Sequence, residues 1–325
     1  MEFMSNKIKK EKDRYINDVV IHNIQGIEFI VKYKTSKLPK SVEIQIPKMI
    51  TQIKYAIKNR KSNVLPENIK IIYFPINMKK YTPLINEKFD VSHVNSGVTT
   101  IYNNNPNREI IIFRQEEAVK VLLHELLHAF EYHCVKNFTL NSNDLSCLGK
   151  TLESEQNWDE AIVETWATIL TNENAYKKRN TNIEKKFSIF QTAKILKHHG
   201  FNTWNEFWKP EKITSIIQSK PAIFPYHILK SAFLNNLDLF KTNFNFNNIK
   251  ICKSFKSSDI LPFLENKVWI EKIDKNIKNY DSFNQIWKNT MRMTYPNYKI
   301  FTKKSIHKKL KIKKKKWKTL RKNKM

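Results

Sequence analysis

The sequence predicts an α+β protein. Short alternating apolar segments crowd the first 115 residues, and helical periodicity dominates after Gln115. At 325 residues with 41% hydrophobic content, the chain has ample material for a buried core. There is no run of eighteen apolar residues, and the start M-E-F-M-S-N-K-I-K-K is too polar for a secretory signal, so an intracellular protein with no membrane association is expected. Cys134, Cys147 and Cys252 are odd in number and lack C-x-x-C spacing. They read as free thiols rather than a disulfide framework or a cysteine zinc cluster.

After a charged start, G-I-E-F-I-V-K-Y-K (26–34) and V-E-I-Q-I (42–46) alternate like short strands. From Pro47 the pattern becomes helical, with Met49, Ile50, Ile53, Ala56 and Ile57 on one stripe and an end near Arg60. N-I-K-I-I-Y-F-P (68–75), S-G-V-T-T-I-Y (96–102) and R-E-I-I-I-F-R (108–114) read as three strands, the last two separated by the turn N-N-N-P-N. A helix follows from Gln115 to about His133, a second opens near Asp159 and runs to about Leu170, and residues 187–300 are mostly helical. His198-His199 before Gly200 reads as a helix C-terminus.

The net charge of +28 is unevenly distributed. Residues 299–325 contain fourteen Lys or Arg and no acid, half of the excess. The body is rich in Lys, Asn, Ile and Phe with only four glycines, a bias that AT-rich coding produces without selection for charge, so the tail carries more meaning than the body. A like-charge block of this kind is expected to be disordered in isolation and to act as a separate unit. Non-specific nucleic-acid binding, nuclear import and packing in a virion are the roles it suggests.

The chemistry concentrates in V-L-L-H-E-L-L-H-A-F-E-Y-H (121–133). On a helical wheel Ala118, Val119, Leu122, Leu123, Leu126, Leu127 and Phe130 form one broad face, while His124 and His128 share another, one turn apart. Two imidazoles at that spacing reach one metal ion, and Glu125 stands where a base for metal-associated water belongs. His133 is 900° from His124 around the helix and falls on the opposite side. A third ligand is sought in N-W-D-E-A-I-V-E-T-W-A (157–167), where Glu160 and Glu164 lie one turn apart on the same face. Asn157-x-x-Glu160 also reads as a capping box, which would spend Glu160 on the helix start.

With these two motifs the sequence resembles the gluzincins, zinc metallopeptidases with H-E-x-x-H on one helix and a glutamate ligand on a following one. D-E-A-I-V-E (159–164) is similar to the second helix of thermolysin-like members, which carries Asn-Glu-Ala and then an acidic residue four positions after the ligand. The resemblance implies a small mixed sheet and an active-site helix in an upper lobe, with a mostly helical lower lobe. It divides the chain into an N-terminal segment with short strands (1–46), a zincin-like catalytic region (47–186), a helical lower lobe (187–298) and the basic tail (299–325). It further implies one Zn²⁺ per chain held by His124, His128 and Glu160, with Glu164 binding the far nitrogen of a zinc histidine. Glu125 would be the general base of an endopeptidase, and residues 96–102 the edge strand that receives an extended protein or peptide substrate. The oxyanion donor would come from F-P-Y-H-I-L-K-S-A-F-L-N-N-L-D-L-F (224–240). There Tyr226 aligns with Leu229, Phe233, Leu237 and Phe240, whereas His227 shares a face with Ser231, Leu234 and Asp238. The alternative function is a DNA-associated or virion-packaged protein anchored by its tail, with the metal site inactive or secondary.

Overall fold

Three parallel strands flanked by two antiparallel ones form the principal sheet. A computed structural model of the chain describes residues 3–59, 68–84, 87–101, 107–130, 138–139, 158–176, 181–209, 223–246 and 255–295. Strands β1 (Asn17–Ile24), β2 (Ile27–Tyr33), β3 (Ile69–Tyr73), β4 (Gly97–Ile101) and β5 (Arg108–Ile112) make one mixed sheet in the order β1-β2-β3-β5-β4. β2, β3 and β5 run parallel, and β1 and β4 are antiparallel to their neighbours at the two edges. The β1–β2 hairpin turns on Gln25 and Gly26, both at positive φ (50° and 87°), as a two-residue turn matched to strand twist requires.

Period-two alternation gives the sheet two apolar faces. Phe29, Val31, Ile69, Ile71, Tyr73, Ile110 and Ile112 point to the main core. Ile72, Val98 and Ile111 point the other way, toward a smaller cluster that Ile8 and Tyr15 cap beside helix α1 (Asn6–Lys12). The main face is covered by α2 (Ile46–Asn59), which buries Met49, Ile53, Ala56 and Ile57, and by α3 (Ala118–Ala129). Fully burying side chains of this size contributes about 1.5–3 kcal/mol each, so the apolar stripe of α2 is enough to fix its crossing between β2 and β3.

The segment V-E-I-Q-I is not the strand its alternation suggests. Residues Lys40–Glu43 form a single helical turn that Pro39 opens, with Val42 N–H donating to Pro39 O at 2.8 Å, and α2 starts at Ile46. Val42 is buried and Ile44 is exposed, so a helical phase satisfies the same apolar residues without a strand partner. β1, in the charged start, is a strand the alternation did not announce, as are the short parallel pair Phe138–Thr139 and Phe255–Lys256.

Beyond the sheet the described chain is almost wholly helical. α4 (Trp158–Asn174) packs across α3, and α5 (Thr181–His198) is buried around most of its circumference. A π-helical turn, Phe224–Leu229, runs into α6 (Lys230–Asn235); then come α7 (Leu237–Asn243), α8 (Ser257–Leu264) and α9 (Lys267–Lys278). Among the described residues no helix is long and apolar enough to cross a membrane. The chain divides into two units, Met1–Thr294, which holds every element named above, and Tyr295–Met325. His133, the three cysteines, Asn157 and residues 299–325 lie outside the described residues.

Candidate metal centre

α3 is enclosed by β4 and β5, by α2 and by α4, so the polar face expected of it is itself interior. His124 is 6% and Glu125 7% exposed, so both are buried although the histidines lie off the apolar stripe. Buried polar groups must find partners or cost several kcal/mol, and the partners define the site.

His124 Nε2 and His128 Nε2 are 3.0 Å apart. Glu160 Oε2, from α4, lies 3.2 Å from the first and 3.3 Å from the second. Donor atoms at about 2.0–2.1 Å from a tetrahedrally bound ion sit about 3.3–3.4 Å from each other. The triangle is therefore already close to the size a metal site needs, and His124, His128 and Glu160 can hold a metal ion. Glu160 Oε2 faces the two histidines, while Asn157, its partner in the expected capping box, lies outside the described residues.

Glu164, one turn further along α4 and fully buried, takes a different place. Its Oε2 lies 3.1 Å from His124 Nδ1, a contact in which the ring N–H points off the line to the oxygen. Lys120 Nζ donates to both of its oxygens at 2.7 Å, and Lys230 Nζ donates to Oε1 at 3.0 Å. Glu164 is thus a braced support behind His124.

Tyr226 O–H donates to Glu160 Oε2 at 2.9 Å, and its ring centroid is 6.0 Å from that of His124. His227 is 2% exposed, and its backbone oxygen accepts from Thr192 Oγ1 at 3.1 Å. Of the two, Tyr226 reaches the cluster. Leu229, Phe233 and Phe240 lie in the main core with Tyr226 and Leu237 packed against it, as the stripe implies, but they do so from three helical pieces rather than one helix. The π turn changes the helical phase at Tyr226, and Asn236 (φ −119°, ψ 51°) separates α6 from α7.

The electrostatics favour positive charge at the centre. With neutral imidazoles, Glu125, Glu160 and Glu164 outnumber Lys120 and Lys230 by one. Burial alone would lower the His124 pKa, yet the adjoining Glu160 and Glu164 carboxylates, with the charge of Glu125, push it up to about 10. Burial, reinforced by the Glu160 charge, holds Tyr226 well above the ordinary phenol range, so its hydroxyl is a donor.

Glu125 turns toward β4, where Thr99 Oγ1 lies 2.7 Å from its Oε2. Thr99, Lys120 and Lys230 escaped the sequence reading. A lone lysine within V-K-V-L-L or I-L-K-S-A-F-L is the signal that could have found the last two, because a cation in an apolar helix needs a buried counter-ion.

No protein-family model, curated protein or solved structure matches this chain.

Proposed function

We propose that the chain is a zinc-dependent endopeptidase acting on intracellular proteins. The observation that supports this most is the convergence of His124 Nε2, His128 Nε2 and Glu160 Oε2 at 3.0–3.3 Å, with Glu125 adjacent to the first histidine in sequence. Two imidazole nitrogens and one carboxylate oxygen are a donor set that suits zinc, whereas calcium and magnesium favour oxygen alone. When bound, zinc supplies Lewis acidity and lowers the pKa of its water toward about 7.

The remaining roles belong to the chain. Glu125 takes a proton from the attacking water and passes it to the departing amine nitrogen. Tyr226, protonated and beside the cluster, donates to the oxyanion that develops on the carbonyl. Glu164, held by Lys120 and Lys230, stands behind the far nitrogen of His124, where a small turn of the ring lets it orient that ligand. Among the described residues no strand pairs with the outer edge of β4, so an extended substrate backbone can add there as a further strand.

Purified protein should contain about one zinc per chain, released by chelator and missing from the His124→Ala, His128→Ala double variant. Glu125→Gln should keep the metal and the fold while cleavage of denatured casein falls by several orders of magnitude. Full zinc occupancy in the double variant, or near-normal turnover in Glu125→Gln, would sink the assignment.

A further inference from the structure

The alternation of β4 puts Gly97 and Thr99 on one face and Val98 on the other. Val98 packs with the small cluster beneath the sheet, so Gly97 and Thr99 face α3. There the strand meets Glu125 at two places. Thr99 Oγ1 is 2.7 Å from Glu125 Oε2 and 3.0 Å from the Glu125 backbone oxygen, and its single proton belongs on the nearer, charged acceptor. At Gly97 a β-carbon would stand 2.8 Å from Glu125 Oε1 and 3.0 Å from its Cγ, and 2.7 Å from Val121 Cγ1. Those distances are too short for any side chain, so the Glu125 carboxylate occupies space that only glycine leaves open.

We propose that β4 positions Glu125: the Thr99 hydroxyl pins one carboxylate oxygen, and the missing side chain at Gly97 admits the other. Gly97 and Thr99 are positioning residues, and their effect on turnover rests on the reading of Glu125 as the base. Because the same strand offers its outer edge to substrate, it sets base and substrate backbone in one frame. A hydroxyl donating to a buried carboxylate restricts the carboxylate to one orientation, and errors of about 1 Å in such a group cost on the order of 100-fold in rate.

The test uses the full-length zinc-loaded protein with denatured casein and quenched fluorogenic peptides. Thr99→Val, which keeps the shape and loses the hydroxyl, should retain one zinc per chain and its KM while kcat falls about 10- to 100-fold. Thr99→Ser should restore most of that loss. Thr51→Val, at an exposed threonine of α2 whose hydroxyl only bonds its own helix, should match wild type. Wild-type kcat in Thr99→Val beside an inactive Glu125→Gln would overturn the pinning and leave the base assigned; an active Glu125→Gln would overturn the base assignment instead. Crystal structures read the positioning without turnover. Glu125 should leave its place in Thr99→Val and Gly97→Ala and keep it in Thr99→Ser, and a carboxylate unmoved in the first two ends the proposal.

Discussion

Two carboxylates one turn apart on α4 do different work because their neighbours differ. Glu160 shares its oxygen among two imidazoles and the Tyr226 hydroxyl, whereas Glu164 is held by Lys120 and Lys230 and only backs His124. Glu160→Ala should therefore cost metal affinity far more than Glu164→Ala, for which about 10–100-fold is expected. Competition against a zinc chelator measures both, and the reverse order would make Glu164 the ligand. D-E-A-I-V-E shows the pair in the sequence, but not which carboxylate turns toward the histidines. Lys120 and Lys230, which decide it, stand 44 and 66 positions from Glu164. A similar long-range arrangement holds Glu117, the left-handed residue (φ 62°) at the start of α3. Burial alone would raise its carboxyl, but the charges of Lys80, Arg292 and Lys120 and the Thr294 hydrogen bonds hold it well below its ordinary 4.5. A depressed carboxyl contributes stability that is complete above 4.5 and is lost as the pH falls below that value. Urea midpoints measured from pH 6 down to pH 2 should therefore drop more for wild type than for Glu117→Gln. At pH 7 the variant should be weaker by about 3–5 kcal/mol, since Lys80 then stays buried without its partner. Equal acid slopes for the two proteins would show that Glu117 does not carry this dependence.

Elements that declare themselves by local pattern sit where the sequence implies, and those set by tertiary contact do not. The C-terminus of α5 is of the first kind. Gly200 (φ 77°) N–H donates to Lys197 O at 3.0 Å and Phe201 N–H to Leu196 O at 3.0 Å, closing the helix as a Schellman motif that H-H-G foreshadows. A β-carbon at Gly200 would meet nothing within 4 Å, so Gly200→Ala should cost only the conformational penalty of about 1–2 kcal/mol. A change within error in the urea midpoint would mean that the helix end yields at no cost. The π turn at Phe224–Leu229 is of the second kind. No composition marks it, yet it sits between α4 and α5 and supplies Tyr226 to the cluster. V-E-I-Q-I failed for a related reason: an alternation of only three apolar residues fits a turn of helix as well as a strand, and burial of Val42 against the main core decides between them.

At the scale of the molecule, the catalytic body proposed here closes through its last described stretch. Lys288 O accepts from the Thr82 hydroxyl at 2.6 Å, Met291 N–H donates to Lys80 O at 2.9 Å, and Gln191 Nε2 donates to the backbone of Thr290 and Arg292. Lys230 Nζ donates to Met293 O, and Thr294 N–H and O–H both donate to Glu117. Residues 288–294 thus tie the loop at Lys80, α5, α6 and the start of α3 together, around the lysines that brace Glu164. The fourteen cations that follow from Lys299 were legible as a separate block, while this strap was not, because it is held mostly through its own backbone groups, by side chains of distant segments. Two truncations separate the roles. Removing residues 299–325 should leave zinc content, unfolding midpoint and casein cleavage unchanged. If the tail binds nucleic acid, that affinity should fall sharply and lose most of its salt dependence, since each neutralised phosphate contributes about 0.9 to the slope of log K against log salt. Removing residues 289–325 strips partners from Glu117 and Lys230 as well, so the midpoint should drop and zinc should be held more weakly. Were the shorter truncation to abolish cleavage of a free peptide, the tail would be part of the catalytic site, and the separation of body from anchor would fail.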